Sequence, residues 1–198
     1  MRIHYRIGWT LARSLVKLLW GFRTEGAAGI PKSGPVLLAS NHISGWDPLL
    51  VGLGCPRETH FLAKEELFRN PFLGWLIRTY NAIPVRRGAS DRRALRRAVS
   101  VLENDGVMLM FPEGTRSRSG RLGKGRPGAA WVAVAGGAKI VPVWITGPRE
   151  LSGVYRRRRR LLVRYGRPIA PPEDGDYRAL TGEVMSAIRE LAGDTVEA

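Results

Sequence analysis

Three short, continuously apolar runs, set between stretches with helical periodicity, restrict this chain more than any other feature. Residues 36–40 (Val-Leu-Leu-Ala-Ser), 107–111 (Val-Met-Leu-Met-Phe) and 140–145 (Ile-Val-Pro-Val-Trp-Ile) each read as a buried strand. Residues 59–63, 82–85 and 161–165 are further strand candidates. Between them, helices are predicted over 48–53, 71–80, 90–104, 128–135 and 177–191. The clearest is 90–104, where Leu95, Ala98, Val99 and Leu102 recur at intervals of three and four. Arg92, Arg93, Arg96 and Arg97 occupy its remaining surface, and Gly106 ends it. Alternation of this kind predicts an α/β fold, a mixed sheet flanked by helices. A length of 198 residues suits one domain with a real core, and no repeat or linker divides residues 25–198.

Residues 1–24 read as a separate amphipathic helix. Arg2, Arg6, Arg13 and Lys17 share one side. Ile7, Leu11, Leu15, Leu18, Leu19 and Phe22 share the opposite side, with Trp9 and Trp20 towards the boundaries. Tryptophans flanking an apolar stripe beneath a basic face suit a helix lying in the plane of an anionic membrane, the alternative being a helix packed on the domain with its basic face in water. The formal charge of +15, from 32 basic and 17 acidic residues, points to a partner or substrate carrying phosphate. No apolar run approaches the roughly 18 residues of a spanning helix, and nothing resembles a cleavable signal peptide, so the expected association is peripheral. The single cysteine, Cys55, excludes an internal disulfide and suits a reducing compartment. Three histidines and one thiol offer no metal-ligand spacing, so no structural metal is expected.

The segment Asn41-His42-Ile43-Ser44-Gly45-Trp46-Asp47-Pro48 follows directly on the first buried strand, where α/β proteins place functional groups. Ser44 and Gly45 permit a turn, Asp47 suits the N-cap and Pro48 the first helical position. Such a turn brings Asp47 back beside His42. A carboxylate on one imidazole nitrogen fixes the tautomer and leaves the other nitrogen free to take a proton from an alcohol, which makes His42 a candidate general base. The other two histidines, His4 and His60, read as structural. Cys55, in Gly54-Cys55-Pro56 with no histidine adjacent, reads as an inert thiol.

A second segment, Phe111-Pro112-Glu113-Gly114-Thr115-Arg116-Ser117, follows another buried strand about 70 residues later. With His42 and Asp47, it resembles the two hallmark motifs of the 1-acylglycerol-3-phosphate acyltransferase family and its glycerolipid acyltransferase relatives. Asn81-Ala82-Ile83-Pro84-Val85-Arg86-Arg87-Gly88 resembles that family's second motif, with Asn81 for the usual glycine and Arg86 where an acid is common. Val141-Pro142-Val143 resembles the fourth, and the likeness covers about residues 26–170.

The resemblance implies a glycerol-3-phosphate acyltransferase-like fold and direct acyl transfer from acyl-coenzyme A or acyl-carrier protein, with no cofactor. The implied acceptor is the free hydroxyl of 1-acylglycerol-3-phosphate, giving phosphatidic acid at the cytoplasmic face of the cell membrane. On this reading Arg87 and Arg116 hold the acceptor's phosphate through their planar donor forks, with Lys64 a lesser phosphate contact. Gly114 allows a tight turn and Thr115 and Ser117 offer donors. Glu113 accepts from a glycerol hydroxyl or holds an arginine. The same chemistry on glycerol-3-phosphate or another lysolipid is the nearer alternative.

A non-enzymatic basic module is the more distant one. The arginine run 156–160 suits anionic lipid better than nucleic acid, since Tyr155 is its one adjoining aromatic. No nucleic-acid partner is expected. A binding module would survive His42→Ala and fail on loss of that run; an acyltransferase would show the reverse order.

Overall fold

The computed structural model describes residues 3–86, 91–117, 119–147, 161–172 and 176–193, the side chain of His4 excepted. Seven strands form one mixed sheet: β1 (Arg23–Glu25), β2 (Val36–Ser40), β3 (Thr59–Lys64), β4 (Ala82–Val85), β5 (Val107–Met110), β6 (Lys139–Thr146) and β7 (Leu162–Tyr165). Their spatial order is β1-β7-β6-β2-β5-β3-β4. All neighbours are parallel except β6 and β7. Among the described residues six α-helices cover the faces: α1 (Ile3–Trp20), α2 (Asp47–Gly54), α3 (Pro71–Thr79), α4 (Arg92–Glu103), α5 (Gly128–Ala135) and α6 (Tyr177–Ala192).

The continuous apolar runs are explained by burial on both sides. In β2, Leu37 and Ala39 pack with α4, α5 and α6, while Val36 and Leu38 pack on the α1 and α2 side. In β5, Met108 and Met110 take the first face and Val107 and Leu109 the second. Each large side chain so buried contributes roughly 1.5–3 kcal/mol. These two strands, with β6, form the rigid centre of the sheet, and their carboxyl ends carry the loops of interest.

The predicted elements are present with small shifts of boundary. Phe111 lies beyond β5, and the fourth helix starts at Arg92 with Asp91 as its cap, accepting from the Arg93 and Ala94 N–H groups. β1 was not foreseen. It is a three-residue edge strand in which only Thr24 is half-buried, and it pairs with β7 across 139 positions of sequence. The division placed between residues 24 and 25 falls within it.

Helix α1 has three faces rather than two. Ile3, Ile7, Leu11, Leu15, Leu18 and Leu19 stand exposed, Leu18 at 82%. Arg6 and Lys17 lie on the basic side as expected, and Arg2 lies outside the described residues. The two tryptophans, expected at the stripe's boundaries, instead pack against the domain, and Phe22 is buried beneath them. The reason lies at the carboxyl end of α2, where the Cys55 N–H is shared by the Val51 and Gly52 carbonyls and side chains supply the remaining donors. Trp9 Nε1 donates to the Gly52 carbonyl at 3.1 Å, Arg13 to that of Leu53, and Tyr165 Oη to that of Val51 at 2.6 Å. Arg13 also lies over the Trp9 and Phe22 rings, so it belongs to the docked face. Among the described residues no helix is long and apolar enough to cross a membrane.

Candidate active site

The loop after β2 is fastened at successive residues. Asn41 is fully buried and forms a two-bond bridge to Ile145 of β6, its Oδ1 accepting from the backbone N–H at 2.8 Å and its Nδ2 donating to the carbonyl at 3.0 Å. The His42 N–H donates to Glu113 Oε1 at 3.0 Å, and the His42 carbonyl accepts from the Ser117 N–H at 2.7 Å. The imidazole stacks on Phe111, with ring centres 3.9 Å apart and planes 16° from parallel. Backbone and ring are thus both fixed by the segment that follows β5.

Asp47 is fully buried in the first turn of α2, where the helix dipole favours a negative charge. It does not act as the N-cap predicted for it. Trp46 holds that place, and the carboxylate turns backwards because better donors lie upstream. Asp47 Oδ2 meets His42 Nδ1 at 2.7 Å and accepts from the N–H groups of Ile43 and Ser44 at 2.7 and 2.8 Å. Three donors thus converge on one oxygen of a buried carboxylate and fix its orientation. With Nδ1 committed to Asp47, Nε2 is the nitrogen left to exchange a proton.

His42 opens onto a cavity of about 480 Å³ at the carboxyl ends of β2 to β5. Leu62, Leu109, Met110 and Phe111 give it apolar walls, and Lys64, Arg86 and Arg126 give it positive ones. Lys64 stands where the sequence placed it. Arg126 was missed, because nothing distinguishes it from the other cations of the loop between Ser117 and Pro127. Arg87 lies outside the described residues, as do Arg118 and the run 156–160. Its neighbour Arg86 faces the cavity while holding Glu65, with Nε 2.7 Å from the carboxylate. That guanidinium keeps the Glu65 carboxyl below its ordinary range.

Two expected substrate contacts are placed differently. Glu113 is buried and does not line the cavity: Oε1 accepts from His42 and Oε2 accepts from the Gly123 N–H at 2.9 Å. With an oxygen on each of two loops, it ties the His42 backbone to the segment at Gly123. Arg116 is exposed and stands beside the turn, its Nη1 3.9 Å from where a Cβ on Gly45 would lie, rather than in the cavity wall.

Gly114 and Thr115 do line the cavity. Gly114 has φ 72°, in the left-handed region, and its N–H closes a turn onto the Phe111 carbonyl at 2.9 Å, so the tight turn is present as read. A Cβ there would press on Arg126 Cδ at 3.2 Å. Cys55 is fully buried, and desolvation pushes its thiol up, which disfavours the thiolate a nucleophile requires. No cluster of metal-ligating side chains exists among the described residues.

Comparison with known proteins places this geometry. A model of the acyltransferase family matches residues 21–146. The chain is 35% identical over 135 residues to the 1-acyl-sn-glycerol-3-phosphate acyltransferase of Streptococcus pneumoniae, a match covering 67% of this chain and 49% of that protein. It is 26% identical over 185 residues to the protein of that name from Bacillus subtilis, covering 89% and 91%. The crystal structure of the 1-acyl-sn-glycerophosphate acyltransferase PlsC from Thermotoga maritima superposes with a TM-score of 0.70 at 26% identity, over 98% of this chain and 84% of that one. The chain therefore spans about half the length of the first relative and nearly all of the second. Because the matched span holds His42, Asp47, Glu113 and the strands that carry them, the chain belongs to the acyltransferase family.

Proposed function

We propose that this protein transfers a fatty acyl group from a thioester to the free hydroxyl of 1-acylglycerol-3-phosphate, forming phosphatidic acid at an anionic membrane surface. The observation that carries the reading is the His42–Asp47 pair at the wall of a cavity that also holds Lys64 and Arg126, neither of them ion-paired among the described residues. His42 Nε2 takes the proton of the acceptor hydroxyl as its oxygen attacks the thioester carbonyl carbon. The carbon–oxygen bond forms, the carbon–sulfur bond breaks, and the imidazolium returns the proton to the departing thiolate. Asp47 stabilises the transient imidazolium and holds its tautomer. Lys64 and Arg126 hold the acceptor's phosphate from within the cavity, with Arg116 beside the turn as a third cation. Fixing the phosphate fixes an otherwise mobile hydroxyl near Nε2, which is the larger share of the catalysis.

Acyl transfer from palmitoyl-coenzyme A or palmitoyl-carrier protein to 1-acylglycerol-3-phosphate, presented on anionic vesicles, tests this directly. Lys64→Ala and Arg126→Ala are each expected to raise the acceptor KM about tenfold, the loss of one charged hydrogen bond, with a smaller change in kcat. Equal activity on a lysolipid lacking phosphate, unaltered in both variants, would overturn the phosphate assignment. A wild type that transfers nothing from either donor would overturn the reaction.

The membrane component rests on the exposed stripe of α1, from Ile3 to Leu19, and on Phe72 and Trp75 of α3, exposed at 72% and 61%. Arg6 and Lys17 beside the stripe suit anionic headgroups. The face taken is the cytoplasmic one, where anionic lipid is found. Leu11→Glu with Leu18→Glu is expected to abolish sedimentation with anionic vesicles while leaving the melting temperature unchanged, since both side chains lie in solvent. Undiminished vesicle binding by that variant would remove α1 from the interface.

A further inference from the structure

A second concavity, of about 780 Å³, lies across the 122–128 segment from the His42 cavity. Gly123, Lys124, Gly125 and Pro127 face it, whereas Arg126 and Gly128 face His42, so the segment is a partition shared by two spaces. Its far wall is one side of α6, where Arg178, Gly182, Met185 and Arg189 recur at helical spacing. Lys124, Arg178 and Arg189 therefore ring the opening. All three are exposed, and none is ion-paired among the described residues. Gly182 leaves room at the helix surface, since a Cβ built on it meets nothing within 4 Å. Leu122 and Met185 make an apolar floor. The partition is itself anchored to the catalytic loop, through Gly123 N–H to Glu113 and Arg126 N–H to the Pro112 carbonyl at 2.8 Å.

We propose that this concavity binds the nucleotide end of coenzyme A, so that the thioester end of the same molecule reaches His42 over the partition. The inference rests on the acyl-transfer reading and names the donor class. Coenzyme A ends in a base and ribose bearing a phosphate monoester and a diphosphate. Two guanidinium forks and an ammonium match those phosphate oxygens, and the apolar floor suits the face of the base. The volume falls within the roughly 300–1,000 Å³ of small-molecule sites.

The double variant Arg178→Ala, Arg189→Ala tests the proposal. Both side chains lie in solvent, so the fold should be kept. The KM for palmitoyl-coenzyme A is expected to rise about tenfold or more, with the acceptor KM unmoved. The defect should vanish with S-palmitoyl-pantetheine, which lacks the nucleotide. Adenosine 3′,5′-bisphosphate should bind the wild type saturably by calorimetry, without any acceptor, and bind the variant weakly. Failure of the bisphosphate to bind the wild type overturns the site whether or not turnover is seen. A KM increase confined to acyl-carrier protein overturns it in favour of a protein donor. Saturable bisphosphate binding in a protein that transfers no acyl group would leave the nucleotide site standing and sink the transfer reaction alone.

Discussion

Replacing His42 with alanine is expected to lower kcat by about a thousandfold while moving the KM of either substrate little, because the imidazole acts in the transition state more than in binding. The expectation follows from what the ring touches. Nδ1 is held 2.7 Å from Asp47, Phe111 lies flat against one face, and Nε2 is left to the cavity. Alanine removes the one imidazole among the described residues of that wall, yet it leaves Lys64 and Arg126, the proposed phosphate contacts, in place. Thermal melting of the variant separates lost chemistry from lost fold. Removal of the ring leaves Asp47 with the Ile43 and Ser44 N–H groups, so the carboxylate is not stranded. Full activity in His42→Ala would show that deprotonation is done elsewhere. Cys55 is a poor substitute, being fully buried with its thiol pushed up by desolvation.

The strands were legible because their burial is two-sided. A chain position such as Leu37 or Leu38 must be apolar whichever face it takes, so the run announces itself without any partner being known. β1 has no such signature. Arg23 and Glu25 are exposed, and the strand exists because β7 offers an edge to pair with. Helix α1 shows a related limit. Its apolar and basic sides follow from spacing alone, but the docked side is set by carbonyls of α2 some forty residues away. Trp9 and Arg13 were therefore assigned to the wrong surroundings.

In the site, His42 and Asp47 could be paired because five residues and a Ser-Gly turn join them. Glu113 lies 71 positions from the His42 N–H that it accepts, and sequence distance gives no hint of that bond. Arg126 was hidden for another reason. In a loop that also holds Arg121 and Lys124, the cation facing the cavity is chosen by the path of the backbone, and the Arg126 N–H bond to the Pro112 carbonyl fixes that path. Residue type announced a basic loop, and only the fold selects the member that faces the cavity.

The second large effect is expected from a change that alters one atom's chemistry and almost no volume. Asp47→Asn should lower kcat by roughly a thousand- to ten-thousandfold, comparable with His42→Ala, although the imidazole remains. The carboxamide has one oxygen where the carboxylate has two. That oxygen is already claimed by the Ile43 and Ser44 N–H groups, which converge with His42 on Oδ2. If it stays with them, His42 loses its charged partner. If the amide turns its nitrogen towards the ring, Nδ1 must become the acceptor, the proton moves to Nε2, and the nitrogen facing the substrate can no longer take one. The first arrangement weakens the base by taking away the charge that stabilises its imidazolium, and the second removes it, in both cases with the histidine still in place. The two backbone donors keep a partner in the first case and lose it in the second, at a cost of about 1–3 kcal/mol. The melting temperature therefore reports which arrangement forms. Nitrogen chemical shifts of the His42 ring would show the tautomer directly: the proton on Nδ1 in the native enzyme and on Nε2 in an inactive, less stable Asp47→Asn. Retention of native turnover by that variant would mean that Asp47 serves only to close the turn, and that the orientation of His42 comes from Phe111 and Glu113 alone.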